Sequence, residues 1–239
     1  MVGRCRLAAM LKLPPLKQAL FEERLNRFLV KVNIEGKSEL AHLHDPGRLK
    51  ELLLPGAKLY LQLSDNRLRK TAWDIILVKK GRVYVAIYST LANRLVKKQF
   101  EDRTFTGFKS WRLVKSEPNF GKSRFDFELE RKGEKMLIEV KSVSLVEDDV
   151  AMFPDAPTVR GRRHLLELAG AVKQGYGASV IFMVTRNDAV SFKPHSERDP
   201  EFAESLRRVE KKGVRLYCFK CNVTRKTIDL HSRIPIKLS

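Results

Sequence analysis

Two stretches decide how this chain is read: Arg124-Phe-Asp-Phe-Glu-Leu-Glu130 and Lys135-Met-Leu-Ile-Glu-Val-Lys-Ser142, joined by Arg131-Lys-Gly-Glu134. Successive side chains of a strand point to opposite faces. Phe125, Phe127 and Leu129 therefore share one face, with Asp126 and Glu128 on the other. In the second stretch Met136, Ile138 and Val140 share a face, opposite Glu139 and Lys141. A turn centred on Lys132-Gly133 makes the pair a hairpin. Its register sets Asp126 directly opposite Glu139, with Lys141 two residues further along the same face, unless a bulge shifts the ladder.

Two adjacent carboxylates repel, and a shared cation relieves them. Oxygen donors suit a hard ion, Mg²⁺ or Mn²⁺. The carbonyl of Val140 is a further candidate ligand, and so is Glu117 at the end of the preceding strand. Such an ion activates water and stabilises phosphate, and Lys141 would orient the water or offset developing charge. An Asp followed by Glu-x-Lys on the next strand is the nuclease pattern PD-(D/E)xK, with Phe125 where Pro commonly stands. Glu-x-Lys alone is common and also describes a surface ion pair. The order of elements around it favours a metal site.

That order is an α/β one. A helix-compatible stretch at 89–108 precedes strands at 110–115, 123–130 and 135–145. A helix follows at 158–174, with Thr158 as N-cap and Gly175 as stop. A strand at 178–185, a helix at 199–212 ended by Gly213 and a strand at 214–222 complete it. The first part of the chain differs. Short alternating strands at 28–34, 38–44, 58–63, 74–78 and 82–88 surround the turn Asp45-Pro-Gly-Arg48 and a helical turn at 49–54. A small β-barrel is expected there, the oligonucleotide-binding (OB) barrel being one candidate. The expectation is an α+β chain of two domains, 1–83 and 84–239.

The charge points to a polyanion. The 239 residues carry 47 Lys and Arg against 28 Asp and Glu, a net charge of +19. Residues 1–83 hold +9 of it and residues 84–239 hold +10, so it is no detachable tail. Neutralised phosphates release counterions, which makes nucleic acid the natural partner. At 43% hydrophobic residues the chain can build a core. No apolar run approaches a membrane span, and a membrane partner is not expected. Three cysteines make no disulfide framework, and a cytoplasmic location is expected.

The segment Phe153-Pro-Asp-Ala-Pro-Thr-Val-Arg-Gly-Arg-Arg-His164 leads into a helix. Arg160, Arg162, Arg163 and His164 at a helix start suit phosphate, and ordinary capping with a solvated basic face explains them equally. Cys218-Phe-Lys-Cys221 is a weak metal motif. Residues three apart on a strand point to opposite faces, and Cys5 and His231 are thin support, so no zinc is expected. His42 and His44 read as a polar strand face. Phe28 and Trp73 could stack on bases but read as core residues.

Together these segments are similar to the sugar fermentation stimulation protein A family. The matching pieces are Arg24-Leu-Asn-Arg-Phe28, His44-Asp-Pro-Gly47, Thr90-Leu-Ala-Asn-Arg-Leu95, Lys115-Ser-Glu117, Ser123-Arg-Phe-Asp-Phe127, Ile138-Glu-Val-Lys-Ser-Val143 and Phe153-Pro-Asp-Ala156 with the residues up to Leu165. The resemblance implies an N-terminal OB barrel, a C-terminal PD-(D/E)xK nuclease-like domain, DNA binding and a regulatory role in sugar use. By matching position it makes Asp126, Glu139 and Lys141 the nuclease constellation. Arg24, Arg27, Arg48, Arg94, Arg124, Arg160, Arg162, Arg163 and His164 are the expected nucleic-acid contacts. Two functions follow: a Mg²⁺-dependent DNA endonuclease, or a non-catalytic DNA-binding regulator of sugar metabolism. A single-strand or RNA-processing factor ranks below them, and a homodimer is a candidate assembly.

Overall fold

The computed structural model describes residues 9–64 and 71–238. After β1 (Met10–Lys12) come β2 (Lys17–Arg24), β3 (Leu29–Ile34), β4 (Lys37–Leu43), β5 (Lys58–Leu63), β6 (Trp73–Lys80) and β7 (Val83–Ala86). In β3 the alternation works as expected: Val30, Val32 and Ile34 are buried, while Lys31 is exposed. β2 to β7 form one sheet in the order β4-β3-β2-β5-β6-β7. β4 also pairs with β6 in parallel, from Ala41↔Trp73 to Leu43↔Ile75. That pair closes five strands into the OB barrel. Leu49, Leu52 and Leu53, from the helical turn between β4 and β5, belong to its core.

The second domain continues with α1 (Thr90–Glu101), β8 (Arg112–Ser116), β9 (Asn119–Phe120), β10 (Ser123–Arg124), β11 (Phe127–Arg131), β12 (Glu134–Val143), β13 (Val146–Glu147) and β14 (Val150–Phe153). Then follow α2 (Val159–Lys173), β15 (Gly177–Val184), β16 (Ser191–Pro194), α3 (Pro200–Glu210), β17 (Arg215–Val223) and β18 (Thr227–Arg233). The main sheet has the order β1-β18-β17-β15-β12-β11-β8, with β12, β15 and β17 parallel at its centre. One face packs on α1: Ile138, Ile181 and Met183 share a core with Leu91, Leu95 and Phe100. The other packs on α2 and α3: Leu137, Val180 and Phe182 meet Leu165, Leu168, Phe202 and Leu206. This is the α/β domain the alternation of strands and helices led us to expect. No helix among the described residues is long and apolar enough to cross a membrane.

Several details correct the sequence reading. The boundary after Val83 cuts β7, which pairs with β6 and so belongs to the barrel. β1 lies at the edge of the second domain's sheet, on β18, so the first domain does not begin at residue 1. The strand expected over 123–130 is two pieces. Phe125 packs on the α2 side, whereas Phe127 and Leu129 pack on the α1 side. Phe28 is 44% exposed and Trp73 is half-buried, so Phe28 is no core residue. Cys218 and Cys221 do lie in opposite cores, and burial pushes both thiols up, Cys221 to about 12. Cys5 lies outside the described residues.

A clasp fixes the barrel to the second domain. Asp155, just after the cis Phe153–Pro154 bond, accepts the Leu49 N–H at 2.6 Å. Gly47 sits so close that a Cβ there would lie 2.8 Å from Asp155 Oδ2. On the barrel side the Arg24 guanidinium donates to the carbonyls of Gly47 at 2.8 Å, Arg48 at 2.6 Å and Arg27 at 2.7 Å. Asp45 accepts the Gly47 N–H at 2.8 Å. Burial pushes the Asp45 carboxyl up to about 6, and Asp155 adds to the rise against the pull of the Gly47 N–H, Arg24 and Arg27.

A carboxyl raised in the folded state favours folding most below its unfolded value, here 3.8, and that contribution disappears as pH rises through about 6. Asp45→Asn keeps the acceptor for Gly47 and removes the titration. Wild type should therefore lose up to ~3 kcal/mol relative to the variant between about pH 4 and 7. Urea unfolding across that window measures it. Parallel pH profiles would show that Asp45 ionises freely in the fold.

Candidate active site at the domain junction

The hairpin register is the expected one from Arg131↔Glu134 to Phe127↔Ile138. It slips at Asp126, whose N–H donates at 3.1 Å to the carbonyl of Ile138, the residue already facing Phe127. The Asp126 side chain then continues the ladder: Oδ2 accepts the Val140 N–H at 2.6 Å. A side-chain carboxylate thus takes a backbone partner at the end of β11. This holds Asp126 beside Glu139 although the strand has ended.

Both carboxylates line one cleft of about 450 Å³ together with Lys141 and Val140. Its opposite wall is the barrel turn Asp45-Pro46-Gly47, and Asn93 and Asp155 complete the polar lining. Asn93, half-buried in the first turns of α1, donates its amide to Asp126 Oδ1. Glu139 is 4% exposed. Its Oε1 accepts from Lys141 and from His164 Nδ1, the latter at 2.7 Å. Arg160 Nε lies 3.4 Å from His164 Nε2. A guanidinium only donates, so Nε2 is the acceptor and the ring carries its proton on Nδ1, aimed at Glu139. Glu139 Oε2 is buried and meets no hydrogen-bond partner among the described residues.

The two carboxyls are driven apart in acidity. Burial, then repulsion from Glu139, pushes Asp126 up to about 6 against the pull of Val140 N–H, Lys141 and Asn93. Burial would raise Glu139 as well, but Lys141 and His164 outweigh it and hold the carboxyl below its ordinary value. One carboxyl is stabilised as an anion and its neighbour is left short of positive charge. That imbalance, with the orphaned Oε2, fits a cation bound between Asp126 and Glu139. The donors are all oxygen: two carboxylates and the Val140 carbonyl, a set for Mg²⁺ or Mn²⁺. No group of three His, Cys, Asp or Glu residues suited to a metal exists among the described residues, so the carbonyl and solvent would complete the shell.

Other expected site residues lie elsewhere or act differently. Glu117 donates its N–H to the Asp126 carbonyl at 2.9 Å, but its exposed side chain pairs with Arg124 at 3.6 Å and does not line the cleft. His164 is buried on Glu139, so it positions a carboxylate and cannot reach phosphate. Arg24 is committed to the clasp carbonyls. Arg162 pairs with Glu201 of α3, while Arg163 is exposed on α2. Arg27 and Arg160 do line the cleft, one from each domain. Arg48 is exposed beside the clasp, and exposed Arg94 borders a separate groove with Lys12 and Tyr88. Asn93 was missed as a site residue, and Asp155 was noted with the polar cluster before α2 but not assigned to the carboxylate site. Asn93 is a polar residue among the buried Leu91, Ala92, Leu95 and Val96 of α1, and that interruption was its sequence signal. Asp155 had only its place in the Phe153-Pro-Asp-Ala156 motif.

Known proteins match this chain over both domains. The family model described as the SfsA N-terminal OB domain matches residues 23–87, and the sugar fermentation stimulation protein RE domain matches residues 90–227. A sugar fermentation stimulation protein homolog from Ruminiclostridium cellulolyticum is 40% identical over 228 residues, 95% of this chain and all of that protein. Another from Methanothermobacter thermautotrophicus is 41% identical, over 93% of each chain. The solved structure of Pyrococcus furiosus SfsA in complex with Ca²⁺ is similar with a TM-score of 0.90 at 28% identity, covering 97% of this chain and 99% of that one. This chain belongs to the sugar fermentation stimulation protein family.

Proposed function

We propose that this protein binds DNA and hydrolyses its phosphodiester bonds with a divalent cation, Mg²⁺ or Mn²⁺, in the cleft between barrel and α/β domain. The observation that carries the reading is Glu139 Oε2: a buried carboxylate oxygen with no hydrogen-bond partner among the described residues, on a side chain that lines the cleft with Asp126. Asp126, Glu139 and the Val140 carbonyl would hold the ion. When bound, it would acidify water and neutralise charge on the phosphate. Lys141 is fixed by Glu139, where its ammonium can orient a water or stabilise charge that develops on phosphate oxygens. His164 holds Glu139 in place, and Arg27 and Arg160 supply guanidinium groups to the backbone of a strand in the cleft. The similar Pyrococcus furiosus SfsA was solved in complex with Ca²⁺, a divalent ion. With +19 net charge the protein would act on nucleic acid in the cytoplasm.

The second reading, a non-catalytic DNA-binding regulator, has one observation in its favour. Glu139 Oε1 is already engaged by both Lys141 and His164.

Incubation of labelled DNA with Mg²⁺, Mn²⁺ or chelator separates the two. Wild type should cleave only with metal, and Asp126→Ala or Lys141→Met should slow cleavage at least ~100-fold while DNA binding persists. DNA left intact by wild type with either metal would leave the regulator as the function. Metal affinity is read separately by calorimetry with MnCl₂ alone. His164→Ala should weaken Mn²⁺ binding about 10-fold or more, because it frees the carboxylate that the ring now orients. An unchanged affinity would remove His164 from the site's support.

A further inference from the structure

The barrel carries a row of rings that neither its core nor the carboxylate site accounts for. β4 places His42 and His44 two residues apart, hence on one face, and Phe28 stands beside them next to the Leu29↔His42 pair. Phe28 lies nearly parallel to His42, with centroids 6.1 Å apart and 22° between planes. His42 meets the edge of His44 at 4.3 Å. His44 stacks on Tyr88 at 3.9 Å and 26°, and its Nε2 is 2.8 Å from Asp74. The far end of the row is thereby locked, while its near end, Phe28, is 44% exposed. The Arg27 guanidinium lies 5.7 Å from the Phe28 ring centroid.

The Phe28 end of the row adjoins the cleft through Arg27, which lines it, whereas Tyr88 at the far end lines a separate groove with Asp74 and Arg94. Ser89 Oγ donates to the His44 carbonyl at 2.9 Å, which joins the row to the start of α1. An exposed ring with a cation beside it is a platform for a flat base and its phosphate. A duplex hides its base faces in the stack, and only unpaired nucleotides can lie on such a ring. The cleft beside it, about 450 Å³, is walled on one side by the barrel turn that Asp155 fastens.

We infer that Phe28 and His42 form a stacking track which delivers single-stranded DNA, such as an unpaired tail, to the carboxylate cleft. This deepens the nuclease reading by naming its substrate class, and it rests on that reading only for what happens after binding. The track itself is a binding claim.

The test measures binding in chelator, where nothing can be cut. Fluorescence anisotropy with a labelled single-stranded oligonucleotide, its duplex and the RNA of the same sequence is recorded for wild type, Phe28→Ala and Phe28→Tyr. Phe28 is exposed, so truncation leaves the core intact. Wild type should bind the single DNA strand more tightly than the duplex. Phe28→Ala should lose on the order of tenfold for the single strand and little for the duplex, and Phe28→Tyr should restore binding. A 2-aminopurine placed in the strand should be quenched by wild type and by Phe28→Tyr but not by Phe28→Ala. Equal loss on duplex and single strand, no loss at all, or tighter binding of RNA overturns the proposal. Because no cleavage is read, a protein that fails to cut but shows this pattern still has the track, and one that cuts without it does not.

Discussion

Glu139 is a carboxylate placed where a carboxylate is costly. It lies on the central, fully flanked strand of a mixed sheet, between α2 and the strands that carry the core. An isolated buried anion is strongly unfavourable, so its surroundings must be organised around it. Lys141 comes from the same strand face. His164 comes from the first turns of α2, whose start is fixed by Thr158 accepting the Gly161 N–H at 3.0 Å. Thr158 itself donates its N–H to Asp199 at 2.8 Å, and Asp199 also caps α3. The placement of both helices on that face therefore meets at one carboxylate oxygen. The other oxygen is buried and has no hydrogen-bond partner among the described residues.

Much of this was legible because it depends on local alternation. The hairpin register followed from the turn at Lys132-Gly133, and the partners of Phe127 to Arg131 are those the alternation gives. The slip at Asp126 was not legible, since it arises when a side chain, rather than a peptide group, bonds to Val140. β2 was missed because its alternation is weak: Leu20 is exposed, and the strand bulges between Phe21 and Glu23. β1 was missed because its pairing with β18 joins distant parts of the chain, which no window on the sequence contains. For the site, Asp126, Glu139 and Lys141 could be placed by register alone. The basic cluster could not be divided that way. Residue type is the same for Arg160 and Arg162, but one faces the cleft and the other pairs with Glu201.

The positive charge also divides by role. Arg24 is spent on carbonyl groups inside the clasp, Arg162 on α3 and Arg124 on Glu117. Arg27 and Arg160 are the guanidinium groups that frame the cleft, and they come from different domains. Each domain supplies one of the two, and their separation depends on the clasp of Asp155 and Gly47.

The pairing of β1 with β18 gives the chain an unusual order of assembly. The barrel is threaded between an edge strand and the first helix of the α/β domain, so it is an insertion in that domain rather than a module placed before it. Both ends of the barrel segment are anchored to one body, which restricts how far it can swing. During synthesis the barrel is complete long before Thr227–Arg233 appears, and β1 must wait for that strand to gain its ladder. The edge ladder of the sheet that carries Glu139 thus joins two strands from nearly opposite ends of the described chain.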